Sequence, residues 1–464
     1  MPVGMLAAMS SPTPPPSSQA TAVSRDRGDA CPGSLRLHAA DDGALARVRI
    51  PGGVLTAAQA GRLADAAREL GDGEVHLTSR GNVQLRGLDA ECGSVLATLL
   101  DGAGLLPSAA HERVRNVVAS PLSGLDGRGF GDVRPWLTGL DAALCASTAA
   151  VDLSGRFLFA LDDGRGDVAG LDADVTVRAV ADGGALLALG RSGPALHIAD
   201  EDAPRAALLA AETFLTTARA STERAWRVDE LHISVEELTE LTREHLTAER
   251  IPHDVRDREH DVRVREQDIR EREPGSVRER EPGRIEGPQP GVIGEALSVH
   301  VPLGRLTAPQ WQAVTRAAED GNGELRLTPW RGVVLPAPEA DAAHRAYALA
   351  RLAATGLVTD PDSPWLRVGA CVGRPGCAKS HADVRADAAR ALDSVGRDHL
   401  PLYWSGCERR CGHPRGERID LVATPDDGYR LSASGHPGLT VPLHDPHDPS
   451  QLATALVALT DRTA

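Results

Sequence analysis

The stretch IPGGVLTAAQAGRLADAARELGDGEVHLTSRGNVQL, residues 50–85, recurs in altered form as VPLGRLTAPQWQAVTRAAEDGNGELRLTPWRGVVL, residues 301–335. Thr56 in the first copy corresponds to Thr307 in the second, and each is followed three positions later by glutamine. A Thr-x-x-Gln sequence ahead of an apolar periodic stretch is the signature of a capping box, which starts an α-helix. The chain therefore contains an internal duplication, and a helix is predicted at the same place in each copy.

Both copies predict the same order of elements. A strand (residues 44–50 and 297–301) leads into the capping box and its helix. A Gly-Asp-Gly or Gly-Asn-Gly turn then starts a strand of alternating apolar residues. A second short strand and another helix (residues 90–100 and 339–352) follow. The result is a β-α-β-β-α half, and two such halves can complete one larger unit about a pseudo-twofold axis.

The composition fits a multidomain globular protein. The chain has 464 residues, of which 42% are hydrophobic, and its length suggests about three domains. Its formal charge of −15 argues against a protein that binds nucleic acid or an anionic membrane. No apolar stretch approaches the roughly 20 residues of a membrane helix. Residues 1–25 have no basic leader and no clean cleavage site, which predicts a disordered tail on a cytosolic protein.

A charged segment separates the two halves. Residues 254–290 contain Arg-Glu-Arg-Glu-Pro-Gly twice, at 270–275 and at 278–283. High charge of both signs with almost no large apolar residue cannot support a core. The composition predicts a flexible linker, with a transient charged helix as the alternative.

Four of the seven cysteines form two close pairs, Cys371-x5-Cys377 and Cys407-x3-Cys411. Two pairs of thiolates supply the four ligands of a cubane iron–sulfur cluster. Structural zinc sites also use four thiolates, but the local spacing of their ligands is usually shorter than that of the first pair. The pairs favour a 4Fe–4S cluster, with a structural zinc ion or four unrelated buried cysteines as alternatives. Residues 378–392 are predicted to form a helix whose N-terminal N–H groups face this site.

The first half carries arginines rather than cysteine pairs. Arg80 and Arg115 each lie at a predicted strand end beside Gly or Asn, where a guanidinium can bind a carboxylate through two hydrogen bonds. Arg86 and Arg113 are predicted to be solvated surface residues. The 16 histidines show no H-x-x-E-H or H-E-x-x-H pattern, and no dinucleotide-binding or Walker loop follows a strand. Electrons for a cluster would therefore come from a separate donor.

Together, the duplicated half, the C-x5-C and G-C-x3-C sequences and the strand arginines resemble the siroheme-type nitrite/sulfite reductase superfamily. The resemblance covers about residues 30–245 and 292–462. It implies an α+β fold with duplicated ferredoxin-like half-domains, two α/β sulfite-reductase-like domains and pseudo-twofold symmetry. The implied organisation is a disordered tail (1–30), a first ferredoxin-like half-domain (31–110), a first α/β domain (111–245), a charged linker (246–291), a second half-domain (292–360) and a cluster-binding α/β domain (361–464).

Three stretches more specifically resemble the precorrin-3B synthases of aerobic cobalamin biosynthesis: residues 30–33, 78–87 and 371–377. The reductases of the superfamily have a Leu-Pro-Arg-Lys-Phe-Lys stretch whose two lysines face the bound sulfite or nitrite. In this chain one lysine becomes Arg156 and the other becomes Leu158. Leucine can neither bind an oxyanion nor deliver a proton. The difference disfavours a siroheme-dependent nitrite or sulfite reductase, which is the alternative function.

The resemblance to precorrin-3B synthases implies an oxygen-dependent oxidoreductase. Its substrate would be precorrin-3A, a metal-free tetrapyrrole with many carboxylates, hydroxylated at C20 with closure of a γ-lactone. The implied cofactors are a 4Fe–4S cluster and a mononuclear non-haem iron, whose ligands no spacing identifies, with siroheme only under the alternative. The implied partners are dioxygen and a separate electron-donor protein or NAD(P)H-dependent reductase.

The resemblance also assigns residues to the site. The implied cluster ligands are Cys371, Cys377, Cys407 and Cys411. Cys411 would bind the cluster alone, because a metal-free substrate offers no iron for it to bridge. The residues implied to bind the substrate are Arg80, Arg115 and Arg156, with Asn82 and Gln84 as neutral partners.

Overall fold

The structure is a computed structural model that describes residues 31–221, 224–257, 287–337, 339–392, 400–413, 417–434, 436, 438–446 and 448–463. The predicted tail, residues 1–30, and residues 258–286 of the predicted linker lie outside the described residues. Residues 246–257 differ from the linker prediction, because they complete a helix and form a strand. No helix in the described part of the chain is long and apolar enough to cross a membrane.

The first half has the predicted β-α-β-β-α elements in order, together with two short strands that were not predicted, His38–Ala40 and Val54–Thr56. The elements are β1 (His38–Ala40), β2 (Gly43–Val48), β3 (Val54–Thr56), α1 (Ala57–Leu70), β4 (Val75–Leu77), β5 (Val83–Leu88) and α2 (Gly93–Gly102). The Thr56 hydroxyl accepts the N–H of Gln59, and the Gln59 side chain accepts the N–H of Thr56. The predicted capping box is therefore confirmed, and the second copy has the same box at Thr307.

The first α/β domain follows this half. Its elements are β6 (Val117–Ala119), α3 (Arg134–Ala146), β7 (Phe159–Asp162), β8 (Val175–Ala179), β9 (Ala185–Leu189), β10 (Ala195–Ile198), α4 (Ala203–Ala220), α5 (Val235–Ala248) and β11 (His253–Arg256). They form one sheet of order β11-β10-β9-β8-β7-β6, in which β6, β7 and β8 are parallel.

The second half and its α/β domain repeat this plan. Their elements are β12 (Gly291–Ile293), β13 (Ala296–His300), β14 (Arg305–Leu306), α6 (Ala308–Asp320), β15 (Glu324–Leu327), β16 (Gly332–Pro336), α7 (Ala342–Ala353), β17 (Val368–Ala370), α8 (Val384–Arg390), β18 (Leu402–Ser405), β19 (Ile419–Ala423), β20 (Tyr429–Ala433), β21 (Thr440–Leu443) and α9 (Pro449–Thr463). The last sheet has the order β17-β18-β19-β20-β21, and β17, β18 and β19 are parallel.

The two half-domains exchange a strand. β14 of the second half pairs with β4 of the first, which places Arg305 opposite His76. β3 of the first half pairs in return with β15 of the second. Buried apolar residues of both halves pack into one core, in which the Trp311 indole N–H donates to the carbonyl of Ala60 at 2.8 Å. The α+β fold and the pseudo-twofold pairing of the halves are therefore confirmed.

Candidate functional site

Both cysteine pairs lie at the end of parallel strands in the second α/β domain. β17 ends directly before Cys371, and β18 ends two residues before Cys407. The two strands are parallel neighbours, so the loops that follow them leave the same edge of the sheet. We call residues 371–378 the first cysteine loop and residues 406–413 the second cysteine loop. Three of the four thiols are half-buried, and Cys411 is exposed.

The four thiols interact without being packed around a single point. Loss of solvent around the sulfur atoms raises the pKa of Cys371 and of Cys411, and the other thiols of the group contribute to both shifts. Among the described residues, no three of these sulfur atoms lie within 4.8 Å of one another. Sulfur atoms that share one zinc ion, with bonds of about 2.3 Å, lie about 3.8 Å apart. The four sulfur atoms are therefore farther apart than four thiolates bound to one zinc ion.

The backbone around the first loop differs from the predicted helix over residues 378–392. The helix α8 begins only at Val384, where the Asp383 side chain accepts the N–H of Ala386. The preceding residues use their backbone groups to hold the two loops together. His381 N–H donates to the carbonyl of Gly406 at 2.8 Å. The Gly406 N–H in turn donates to Cys371 Sγ at 3.2 Å.

The first cysteine loop is held by the first half-domain. Arg86 forms two 2.8 Å bonds with Asp42 and donates to the carbonyl of Gly376 at 3.0 Å. Asp41 accepts the N–H of Ala378. Arg86 is only 4% exposed, so the prediction of a solvated surface arginine was wrong. The local sequence around Arg86 gives no sign of a partner 290 residues away.

The second cysteine loop is held by the second half-domain. Arg331 donates to the carbonyl of Gly412 at 3.3 Å, and its guanidinium lies 6.0 Å from the centre of the Tyr403 ring. The Tyr403 hydroxyl donates to the carbonyl of Cys411 at 2.6 Å. Each cysteine loop is therefore positioned by an arginine from a different half-domain.

The first α/β domain has the same backbone arrangement without cysteines. Ser120 follows β6 as Cys371 follows β17, and the Asp163 N–H donates to Ser120 Oγ at 3.1 Å. This bond corresponds to the one from Gly406 to Cys371 Sγ. Asp163 and its neighbours form a buried network around Arg165, whose pKa the adjacent carboxylates raise against the effect of burial. An ion-pair network therefore stands where the other domain carries the thiols.

Two arginines, Arg49 and Arg80, bind the backbone carbonyl of Gly155, and Arg47 in β2 lies close enough to interact electrostatically with both. Arg49 donates to the carbonyls of Arg113 and Gly155 at 3.2 and 3.1 Å, and Arg80 donates to the same Gly155 carbonyl at 3.4 Å. Burial, together with the positive charge of neighbouring Arg47, lowers the pKa of Arg49 to about 9. Burial also lowers the pKa of Arg80 to about 10. Positive charge is therefore concentrated here in a poorly solvated place.

Several guanidinium nitrogens of this region are buried without a hydrogen bond. In this region they are Nε of Arg47 and Nη1 of Arg49, and the same holds for Nε of Arg385, which interacts electrostatically with Arg86 and Cys371. A buried donor without an acceptor costs about 1–3 kcal/mol, so natural proteins rarely leave such groups unpaired. Arg47 and Arg49 were not predicted as site residues, although their spacing of two residues along a strand could have placed them on one face.

One row of polar side chains crosses the first sheet from one half to the other. Arg47 lies opposite Gln84, Gln84 opposite His76, and His76 opposite Arg305. We call the face with these four residues the polar face. Arg86, two residues beyond Gln84, lies on it and contacts the first cysteine loop. The polar face therefore looks toward the cysteine loops, while alternate residues of the same strands enter the core beneath α1.

Two predicted site residues have other partners. Arg115 forms two 2.7 Å bonds with Asp141, and its remaining nitrogen donates to a backbone carbonyl. Asn82 accepts the N–H of Ile50 at 2.8 Å and donates to Asn116 at 3.2 Å. Both side chains are buried and support the protein itself.

Arg156, which follows Gly155 in the sequence, is accessible to a ligand. Its Nη1 lies 3.4 Å from Glu230 Oε1, and its guanidinium carbon lies 5.2 Å from the ring centre of Trp226. Its side chain is 44% exposed, so it can contact a bound molecule. Gln84 is half-buried on the polar face. The structure thus places Arg80, Arg156 and Gln84 around the same region and leaves Arg115 and Asn82 out of it.

The chain is similar in sequence and in structure to several known proteins. A family model of the nitrite/sulfite reductase ferredoxin-like half domain matches residues 38–92 and 289–353. The precorrin-3B synthase of Sinorhizobium sp is 27% identical, with 89% of this chain and 84% of the relative covered. The ferredoxin–nitrite reductase of Synechococcus elongatus is 26% identical, with 82% and 76% covered. The solved structure of the Mycobacterium tuberculosis NirA protein, 20% identical, covers 84% of this chain and 74% of its own with a TM-score of 0.58, which shows a shared fold.

Proposed function

Because this chain belongs to the nitrite/sulfite reductase superfamily, we propose that it is a precorrin-3B synthase. The reaction hydroxylates precorrin-3A at C20 and closes a γ-lactone. One atom of dioxygen enters the product, and the other leaves as water after taking up two electrons and two protons. The enzyme is an oxidoreductase that needs a reduced donor, which would be an electron-donor protein or an NAD(P)H-dependent reductase.

The observation that carries this proposal is the set of buried arginine nitrogens without acceptors. Arg47 and Arg49 lie in or next to the polar face, and Arg80 adjoins them. Carboxylates are the natural partners of guanidinium groups, and bonds between charged groups are the stronger ones. A tetrapyrrole with many carboxylates supplies the missing acceptors at several places at once. We propose that Arg47, Arg49, Arg80 and Arg156 bind these carboxylates, with Gln84 as a neutral partner.

We propose that Cys371, Cys377, Cys407 and Cys411 hold a 4Fe–4S cluster. Such a cluster supplies one-electron transfer when bound. The protein's part is to fix the loops through Arg86 and Arg331 and to direct the Gly406 N–H at a ligand sulfur. The exposure of Cys411 gives an external donor a short route to this centre.

The alternative function is a siroheme-dependent nitrite or sulfite reductase. It is favoured by the similarity to ferredoxin–nitrite reductases and by the fact that siroheme also carries carboxylates. Against it stands Leu158, which is 2% exposed and packs with apolar residues such as Val118 and Ala160. A buried leucine provides no cation and no proton for the reduction of a small oxyanion.

Optical spectroscopy on anaerobically purified protein separates the two functions. A precorrin-3B synthase should show the broad shoulder of an iron–sulfur cluster, with iron and labile sulfide on analysis and no reduction of nitrite or sulfite. Strong visible bands of siroheme that remain with the protein, together with nitrite or sulfite turnover, would establish the alternative. Zinc without labile sulfide would exclude the cluster.

A further inference from the structure

A histidine and two carboxylates converge at the second-half end of the polar face. His76 lies in β4, and Asp72 and Glu74 lie just before it. One ligand atom from each lies within 4.8 Å of the others. His76 Nε2 is 3.6 Å from Asp72 Oδ2 and 3.8 Å from Glu74 Oε2. Ligands of one divalent ion with bonds of about 2.1 Å lie about 3.0–3.5 Å apart, so small side-chain adjustments would complete such a site.

The histidine in this group lacks hydrogen bonds. His76 is 6% exposed, and neither of its ring nitrogens has a hydrogen-bond partner. The distances to Asp72 and Glu74 are both too long for hydrogen bonds. A buried imidazole directed at two carboxylates without bonding to either has the arrangement of a metal ligand.

The second copy of the repeat provides an internal comparison. Asn322, Glu324 and Arg326 stand where the first copy has Asp72, Glu74 and His76. The backbone is the same, because in each copy the glutamate N–H donates at 3.0 Å to the side-chain oxygen two residues earlier.

The two copies differ in what balances the carboxylates. In the second copy, the Arg326 guanidinium forms an ion pair with Glu324, with 2.7 Å between Nε and Oε1. The first copy has one more carboxylate, Asp72, and an imidazole in place of the guanidinium. The Arg326 guanidinium supplies positive charge beside the glutamate in the second copy. In the first copy, a bound metal ion could supply positive charge at the equivalent position.

The surroundings leave room for one ion of moderate affinity. Arg305 pairs with Glu74 and takes up part of its acceptor capacity. Asp72 keeps Oδ2 available, because only its Oδ1 accepts the Glu74 N–H. Asp72 is exposed, so the ion can enter from solvent and keep water ligands. Arg385 lies close enough to His76 to interact electrostatically, which opposes a cation and limits its affinity.

We propose that Asp72, Glu74 and His76 bind a divalent transition-metal ion through two carboxylate oxygens and one imidazole nitrogen. This mixed set suits Mn²⁺, Fe²⁺, Co²⁺ or Zn²⁺ better than Ca²⁺ or Mg²⁺, which prefer oxygen ligands alone. Arg86 links the site to the first cysteine loop, because its backbone carbonyl accepts the Asp72 N–H at 2.9 Å and its side chain donates to the carbonyl of Gly376. A role for the ion in dioxygen chemistry rests on the proposed function, whereas its binding does not.

Binding of Mn²⁺ to full-length, cluster-loaded protein tests the proposal without any tetrapyrrole. After dialysis against a chelator, a Mn²⁺ titration followed by electron paramagnetic resonance should show one site per chain. Pulsed measurements should show coupling to a single imidazole nitrogen. Asp72→Asn, which copies the second repeat, should weaken binding at least about tenfold, since lost ligand-supporting groups alone cost that much. His76→Gln should remove the nitrogen coupling.

The matched control is the exposed pair of His344 and Asp341, whose side chains lie 2.9 Å apart. Asp341→Asn should leave Mn²⁺ affinity unchanged. Equal affinity in wild type and Asp72→Asn, or no nitrogen coupling in wild type, would overturn the proposal. Asp72 is exposed, so this variant should keep the fold, which a thermal melt checks. Mn²⁺ binding in a protein that does not oxidise precorrin-3A would reject the proposed function and leave this site in place.

Discussion

Arg47 and Arg49 are two arginines whose side chains are not fully hydrogen-bonded. Nε of Arg47 and Nη1 of Arg49 are buried without hydrogen bonds. Burial lowers the pKa of both residues. Their positive charge is retained at neutral pH and is poorly solvated, so an anionic ligand would gain from both charge and hydrogen bonds.

Substitution of these arginines should weaken substrate binding. Arg47→Met or Arg80→Met should each raise the Kd for precorrin-3A about 10–100-fold, because a hydrogen bond to a charged group contributes about 1.5–3 kcal/mol. The control is Arg68→Met, which removes an exposed arginine on α1 that pairs with Asp65. Anaerobic titration calorimetry gives the Kd values. If Arg47→Met and Arg80→Met both bind precorrin-3A as the wild type does, these residues do not form the substrate site.

Asp167 should make stability depend on pH. Burial, together with the negative charges of neighbouring Asp162 and Asp163, raises its pKa to about 8. An unfolded aspartate titrates near 4, so the native state binds the proton more tightly. The contribution of this group to stability is complete below about pH 4 and is lost as the pH rises to about 8.

Asp167→Asn cannot ionise and should escape this loss. The Tm of the variant minus that of the wild type should therefore increase from pH 5 to pH 8. Thermal melts at several pH values measure this difference, and exposed Asp101→Asn serves as the control. A difference that does not change with pH would contradict the assignment.

The residue types of the site could be predicted better than their partners. The cysteine pairs and Arg80 stood out from local spacing. The protein partners of Arg115 and Asn82 could not be predicted, because Asp141 and Asn116 are 26 and 34 residues away in the sequence. A spacing pattern shows which side chains could bind a ligand, but a distant carboxylate can occupy them first.

The crossing of the two halves depends on glycine at the scale of single elements. Gly53, between β2 and β3, has φ +72°, which favours glycine. A Cβ atom there would lie 1.9 Å from the carbonyl oxygen of Leu327 in β15. The exchanged strand can pair with β15 only because this side chain is absent.

Gly53→Ala should therefore destabilise the protein by about 2–4 kcal/mol through backbone strain and the clash. Gly61→Ala is the matched control. Gly61 lies within α1, and a Cβ atom added there would meet no neighbouring atom within 4 Å, so alanine should stabilise the helix by about 1 kcal/mol. Comparison of Tm values decides the matter. Equal Tm values for the two variants would contradict the described crossing.

Element boundaries near the site were harder to predict than the elements themselves. The helix predicted over 378–392 begins only at Val384. Residues before it have helix-compatible types, but their N–H groups bond to the cysteine loops. The His381 N–H bonds to Gly406. Long-range hydrogen bonds outweigh local propensity here, and nothing in the periodicity signals them.

At the scale of the whole molecule, strand exchange makes the two halves one unit. A protease site introduced between Asp257 and Gly287 would divide the chain between them. The pieces should stay associated, because β3 and β14 each complete the sheet of the other piece and both share one core. Size-exclusion chromatography of the cleaved protein should show a single species that elutes with the uncut control. Separation of the pieces without denaturant would contradict the exchange.

The global architecture was the part most fully predictable from sequence. The repeated Thr-x-x-Gln and Gly-x-Gly signals indicated two equivalent halves and their pairing about a pseudo-twofold axis. The exchange of β3 and β14 was not predictable, because each is a strand of two or three residues without its own periodic pattern. Pairing partners of such short strands are set by packing between the halves.

The proposed oxidation of precorrin-3A by dioxygen can be measured directly. Anaerobically purified protein would receive precorrin-3A, a reductant and then ¹⁸O₂, and mass spectrometry would follow the tetrapyrrole. We expect a product that is heavier by one ¹⁸O atom and that fails to form without the reductant. An unchanged tetrapyrrole, while the same protein and reductant consume nitrite or sulfite, would contradict the proposed function.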